Sequence, residues 1–313
     1  MNVGKLATAL VVAGIISAPA VALAEDTITM GVIGPFSGQS AAMGRSALEG
    51  IQLGIQQLNE QGGIGGKKVT LIERDSGMRP DLAVVAAKEL IEKDGVKVLI
   101  GPFSTGEALA VNEVVKESRV LNFNPVAEAA EITGTHGNKY VFQLAPTTDI
   151  KGRRVAGILQ ELGAKKLCLL GFDYAYTTSL FGHLKSNIEG KIEVTNEYLV
   201  RMGTTDFSSV ITQLMSDDCD AVFDLIYSAA FISFVNQAQP FGLYETKKIW
   251  LNDSAVGTAE MAVALKGNYP EGMWASSPDL YYYADGGEAY AKYHAALAKF
   301  QGREDTDSRS ITG

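Results

Sequence analysis

The chain predicts an α/β fold built as two doubly wound parallel-sheet lobes joined by a hinge. Three observations carry this. Apolar runs of strand length alternate with segments of helical apolar spacing along most of the chain. Short turns separate them, with 33 Gly against 9 Pro and no low-complexity linker. The repeating units are too many for one compact sheet, and 46% hydrophobic residues can furnish more than one core.

The order begins with a segment that is not part of the fold. Residues 1–24 carry Lys5, an apolar run over 6–16 and the small-residue ending Ala22-Leu23-Ala24, the layout of a cleavable secretory signal with cleavage expected after Ala24. The run is too short to span a bilayer; an uncleaved anchor is the alternative. The periplasm is the expected location. Removal takes one lysine and no acid, so the net charge of −9 becomes −10 over the remaining 289 of 313 residues. An acidic chain without basic runs argues against nucleic acid and anionic membrane surfaces as partners.

Strand 27–33 leads into helix 43–59, whose stripe of Ala47, Leu48, Ile51, Ile55 and Leu58 has helical spacing. Strand 69–73, helix 80–93, strand 96–100, helix 104–117 and strand 120–123 follow. The second helix has Pro80 in its first turn and Gly95 beyond its end, both boundary signals. Strand 140–144 and helix 148–162 resume the pattern, then strand 166–172, helix 177–187, strand 191–199, helix 207–215, strand 221–226, helix 229–241 and strand 248–251. Strand 272–275 and helix 286–300 close it. The expected lobes are 25–145 with 278–313, and 146–277.

Cys168 and Cys219 each lie near the start of a strand. Small apolar packing explains both; a disulfide becomes open to them if the two strands are neighbours in an oxidising compartment. Chemistry of other kinds is not proposed. His136, His183 and His294 are scattered, with no metal-type spacing, no HExxH and no GxSxG. The Gly62–Lys67 run has the wrong spacing for a phosphate loop and precedes a strand, so it reads as a turn. No catalytic residue, metal or cofactor is expected.

Ligands of doubly wound folds sit at the carboxyl ends of strands. The turns there include Gly34-Pro35-Phe36-Ser37-Gly38-Gln39, Gly101-Pro102-Phe103-Ser104-Thr105-Gly106-Glu107 and Asn124-Pro125-Val126-Ala127-Glu128. The second opens a helix whose free amides suit a carboxylate. Ser104 with Glu107 also fits a capping box, which explains Ser104 without a ligand.

These turns resemble the Leu/Ile/Val-binding family of periplasmic substrate-binding proteins of ABC importers. The resemblance is carried by ITMGVIGPFSG (28–38), LNEQGGIGGKKVTL (58–71), ERDSGMRPDLAVVAAKELI (73–91), VLIGPFSTGEALA (98–110), FQLAPTTDIKGR (142–153), LLGFDYAY (169–176), TDFSSVITQL (205–214), DAVFDLIY (220–227) and QAQPFGL (237–243). It implies a type I periplasmic binding protein, Venus-flytrap-like, that binds an amino acid of branched-chain type or a related small polar acid between closing lobes. A monomer delivering its ligand to the permease subunits of an ABC transporter is the implied partnership. A signalling receptor, or a relative serving aromatic acids, amides or urea, is the alternative.

The resemblance implies site residues one by one. Ser104 and Thr105 match the hydroxyl pair that receives the ligand carboxylate. Ala127 and Glu128 match the turn whose carbonyl takes the ligand ammonium, and Met43 falls where an aromatic often touches the ligand side chain. Tyr176 and Tyr227 match aromatics that close from the second lobe, with packing as their alternative role. Asp253 or Ser254 lies near the acid that neutralises the ammonium. Glu128 replaces a hydroxyl residue and suits a cationic group, unless it turns to solvent; Tyr176-Thr177 replaces Tyr-Gly. The polar tail after Phe300 lacks the run that closes both lobes in the family, so the resemblance implies either a C-terminal fragment or frameshifted frame, or lobes that close differently.

Overall fold

The computed structural model describes residues 27–38, 40–253, 264–265, 268, 270–276 and 287–302. The expected signal segment over 1–24, Ser254 and the tail beyond residue 302 lie outside the described residues.

The first lobe pairs β1 (Ile28–Gly34), β2 (Val69–Asp75), β3 (Val98–Ile100), β4 (Leu121–Asn124) and β5 (Val141–Gln143) in the order β2-β1-β3-β4-β5. Helices α1 (Ala41–Glu60), α2 (Pro80–Glu92) and α3 (Thr105–Ser118) connect its first four strands. The second lobe pairs β6 (Lys166–Phe172), β7 (Glu193–Val200), β8 (Ala221–Asp224), β9 (Ile249–Asp253) and β10 (Trp274–Ser276) in the order β10-β9-β8-β6-β7. Its helices are α4 (Thr148–Glu161), α5 (Ala175–Ile188), α6 (Ser208–Ser216), α7 (Ser228–Ala238) and α8 (Leu243–Thr246). Counted from its own first strand, each sheet has the same 2-1-3-4-5 order. All described strand pairs are parallel. Such an order reverses between the first and third strands, and the crevice opens there at the strands' carboxyl ends.

Burial on both faces explains the unbroken apolar runs of the central strands. Cys168, Leu170, Val222 and Trp250 face one layer with Phe207 and Phe234; Leu167, Leu169, Phe223 and Leu251 face the other with Phe181 and Leu184. The first lobe is likewise packed on two faces, Ile33, Leu90, Leu99 and Val111 on one and Val32, Ala47, Leu48 and Phe103 on the other. Helix α9 (Gly287–Phe300) returns to the first lobe, where Gln301 Nε2 donates to Glu49 Oε2 at 2.6 Å.

Two elements end earlier than their apolar runs. Strand β8 stops at Asp224 because its carboxylate accepts from Ile226 N at 2.7 Å, which closes a local turn. Helix α7 stops at Ala238, and Gln239–Phe241 tightens into a 3-10 turn at Pro240, which has no N–H to donate. The glycine run at 62–66 is a turn closed by an Ile64–Lys67 bridge; a Cβ on Gly63 would lie 1.9 Å from Lys67 O. Strands β6 and β8 are neighbours, with Leu167 opposite Ala221, and a disulfide joins Cys168 to Cys219 across a Cα separation of 5.7 Å.

Candidate functional site

A cavity of about 520 Å³ lies between the lobes, lined from the first by Ser37, Ser40, Gly77, Met78, Pro80, Ser104 and Gly106, and from the second by Tyr174, Ala175 and Met202. Four helix starts meet there. Ser40 precedes α1, Pro80 is the first residue of α2, Ser104 caps α3, and Tyr174 precedes Ala175 at the start of α5. Each brings free amide donors and the positive end of a helix dipole. No charged side chain is among the described lining residues. The walls therefore favour an anion through backbone and hydroxyl donors, while Met78, Pro80 and Met202 offer apolar contact. Met78 holds a left-handed φ of 63°, a conformation costly for a side chain of this size, at the turn that puts it on the wall.

The residues that the resemblance singled out separate into three groups. Ser104 reaches the cavity, but its hydroxyl is engaged: Oγ donates to Glu107 Oε2 at 2.7 Å and accepts from Glu107 N at 3.4 Å, a complete capping box. Thr105 is buried as the first residue of α3. Met43 packs against the cluster of Val32, Ala47, Leu48 and Phe103 and is not on the cavity wall. The carbonyl of Ala127 already accepts from Gln143 Nε2 at 2.9 Å, and that of Glu128 from Thr148 N at 2.8 Å.

Glu128, Asp253 and Tyr176 form the second group, gathered around Lys151 of α4. Lys151 Nζ donates to Glu128 Oε2 at 2.6 Å, to Asp253 Oδ2 at 3.0 Å and to Tyr176 Oη at 3.2 Å. The Tyr176 hydroxyl donates in turn to Asp253 Oδ2 at 2.7 Å. The pair crosses the cleft, because Glu128 follows β4 while Lys151 and Asp253 belong to the second lobe. The side chains of Lys151 and Asp253 are 6% and 1% exposed. Burial lowers the Lys151 pKa, but Glu128 and Asp253 outweigh it and hold the lysine above its ordinary value. Burial raises the Glu128 pKa, with Lys151 opposing. Burial and then Asp253 push the Tyr176 hydroxyl far above its ordinary value. Glu128 thus neither turns to solvent nor stands open for an incoming ammonium.

Tyr227 belongs to neither arrangement. It meets Phe172 edge-on at 5.2 Å between centroids, and its hydroxyl lies 3.8 Å from Met202 Sδ, one residue behind the wall. Tyr174 links wall and charge cluster, its ring 5.9 Å from that of Tyr176.

Lys151 and most of the wall were not singled out from sequence. The lysine had a readable signal: Thr148, Gly152, Val155 and Leu159 place it on the buried stripe of α4. A charge on that stripe demands a partner. Met78, Tyr174 and Met202 follow from the strand-to-helix turn rule once the strand order is known.

Two curated relatives are similar along much of the chain. Leu/Ile/Val-binding protein BraC3 of Rhizobium johnstonii is 32% identical over 222 residues, 70% of this chain and 59% of that protein. Leu/Ile/Val-binding protein homolog 8 of Brucella suis is 29% identical over 237 residues, 72% of this chain and 58% of its own length. The chain therefore spans less than two thirds of these relatives. They are binding proteins, not enzymes. Among solved structures, the branched-chain amino acid transporter substrate binding protein LivJ from Streptococcus pneumoniae, in complex with isoleucine, has a TM-score of 0.76 at 20% identity, covering 91% of this chain and 81% of that one. An R. palustris ABC transporter solute binding protein in complex with benzoate has a TM-score of 0.79 at 21% identity, covering 91% and 77%. These neighbours share the two-lobed type I fold. The pattern of one family, described as periplasmic binding protein, matches residues 27–312, and the chain belongs to that family.

Proposed function

We propose that the chain is the solute receptor of an ABC importer and binds a small carboxylate between its two lobes for delivery to the membrane permease. The observation that carries the reading is the convergence of four helix N-termini on one cavity whose described lining residues include no charged side chain. Backbone amides can hold an anion there without a fixed cation, and an anion so held is easily released. Contacts from both lobes would favour the closed state, which is the signal a permease can read.

Family membership implies an extracytoplasmic location, and the export segment over 1–24 is consistent with it. We take 25–145 with 278–313 as one lobe and 146–277 as the other; the contact of Gln301 with Glu49 supports the return to the first lobe. The named relatives' leucine, isoleucine and valine, and the benzoate of the R. palustris structure, are all carboxylates or amino acids of modest size.

Thermal unfolding of the full chain against carboxylates, amino acids, amides and urea tests this. A ligand at a hundredfold above its Kd adds about 2.7 kcal/mol of stability, a readily seen rise in Tm. Carboxylates raising the transition supports the reading; amides or urea alone raising it would overturn the anion site.

A further inference from the structure

We propose that Lys151 fills, from within the protein, the place of a ligand ammonium, so that the cleft accepts small carboxylates lacking an α-amine and rejects amino acids. The inference rests on the receptor reading above and narrows its ligand class.

An amino acid asks for two things: donors for its carboxylate and a negative or carbonyl cage for its ammonium. The helix starts around the cavity meet the first need. The second is already met by the chain itself. An ammonium has three N–H donors, and those of Lys151 have three oxygen partners in Glu128, Asp253 and Tyr176, at 2.6, 3.0 and 3.2 Å. Arg154 adds a second cation 3.7 Å from the other oxygen of Asp253. Among the described residues, two carboxylates therefore face two cations before any ligand arrives. The nearby carbonyls of Ala127 and Glu128 accept from Gln143 and Thr148. No acidic residue is among the described residues that line the cavity.

A ligand ammonium in the cavity would find no acidic partner on the described wall, because the acids behind Tyr174 are held by Lys151 and Arg154, and an uncompensated charge in the interior is heavily disfavoured. A carboxylate with an apolar body meets no such obstacle. Its charge faces the helix starts, while Met78, Pro80, Met202 and the Tyr174 ring pack against the rest. The ammonium of Lys151 also cannot drift toward such a carboxylate without abandoning Glu128 and Asp253, so it works by exclusion and not by direct contact.

Calorimetric titration of the full chain with matched pairs tests the inference, each pair differing only in the amine: acetate and glycine, propanoate and alanine, 4-methylpentanoate and leucine, 3-phenylpropanoate and phenylalanine. The amine-free member of the best-fitting pair is expected to bind at least about a hundredfold more tightly. In Lys151→Gln and Lys151→Ala, which remove the ammonium shared by the two acids, that ratio is expected to narrow at least tenfold. Equal or tighter binding of the amino acid by the unaltered chain overturns the inference and leaves the receptor reading standing. So does an unchanged ratio in a Lys151 variant that still unfolds cooperatively. Binding of neither member of any pair overturns both. The comparison on the unaltered chain decides the ligand class even where a variant fails to fold.

Discussion

The first lobe meets the cavity with three helix starts, serines, glycines, Met78 and Pro80, whereas the second meets it with one helix start, Tyr174 and Met202, backed by buried charge. Strand order cannot explain the contrast, because the two sheets share it. What differs is the filling of equivalent turns. Small turns let a ligand approach backbone amides; large aromatic turns shield an ion cluster that crosses to Glu128 of the opposite lobe. The second lobe also carries the disulfide, while each lobe has a fully buried acid, Glu107 in the first and Asp224 in the second. On the proposed reading, one lobe receives the ligand and the other discriminates.

The sharpest way to break this contrast is to remove its cation. Lys151→Met leaves Glu128 and Asp253 facing each other without their shared partner, and removing one member of a buried pair costs about 3–5 kcal/mol. Guanidinium unfolding should show a loss in that range. A loss under about 1 kcal/mol would mean that the cluster is open to water and does not discriminate.

Reducing the Cys168–Cys219 bond is expected to act on the second lobe alone. The two cysteines are 51 residues apart, and by the chain-entropy account closing a loop of that size stabilises by about 4 kcal/mol. Both tryptophans of the chain, Trp250 and Trp274, sit on β9 and β10, so their fluorescence reports this lobe. With reductant the fluorescence transition should move to lower guanidinium, while backbone ellipticity splits into two phases. Coincident transitions under reduction would show instead that the lobes unfold as one unit.

Much of this contrast was legible beforehand, and what was missed has a common cause. Strand β6 matches the run 166–172 residue for residue, because both its faces are buried and its ends are set by local turns. The cysteine pair could be posed as a question from its position near two strand starts, and the strand order answered it. The charge cluster was half visible. Glu128, Asp253 and Tyr176 were singled out by likeness, each for contact with a ligand, yet Lys151 was not. Its partners are separated from it by 23, 25 and 102 residues, and no local pattern encodes such a meeting. Ser104 was readable in two ways from sequence, and geometry commits its hydroxyl to Glu107.

Asp224 offers a pH test confined to the same lobe. It is fully buried at the end of β8, bonded to Ile226 N and Asn252 Nδ2, and burial pushes its carboxyl up from 3.8 to about 7. The folded state therefore holds a proton that the unfolded chain releases, so this group's effect on stability declines as pH rises from about 4 to about 7 and then levels off. At ~1.4 kcal/mol per pH unit, that interval bounds the loss at about 4 kcal/mol. Asp224→Asn keeps an acceptor for Ile226 N and should raise stability at pH 8 by about 2 kcal/mol, flattening the profile read by tryptophan fluorescence. An unchanged slope between pH 4 and 7 would place the carboxyl's titration elsewhere.

The smallest effect is expected where the first lobe touches the ligand space most openly. Ser104→Ala removes an N-cap hydroxyl, a loss worth about 1 kcal/mol, and deprives the buried Glu107 carboxylate of a donor. Because Oγ–H is directed at Glu107, the ligand should lose little: less than threefold in Kd, with the Tm lowered. A loss of tenfold or more at an unchanged Tm would show that the hydroxyl leaves its cap when the lobes close. In that case the first lobe would be a rearranging surface, and its difference from the second would lie in mobility as well as in charge.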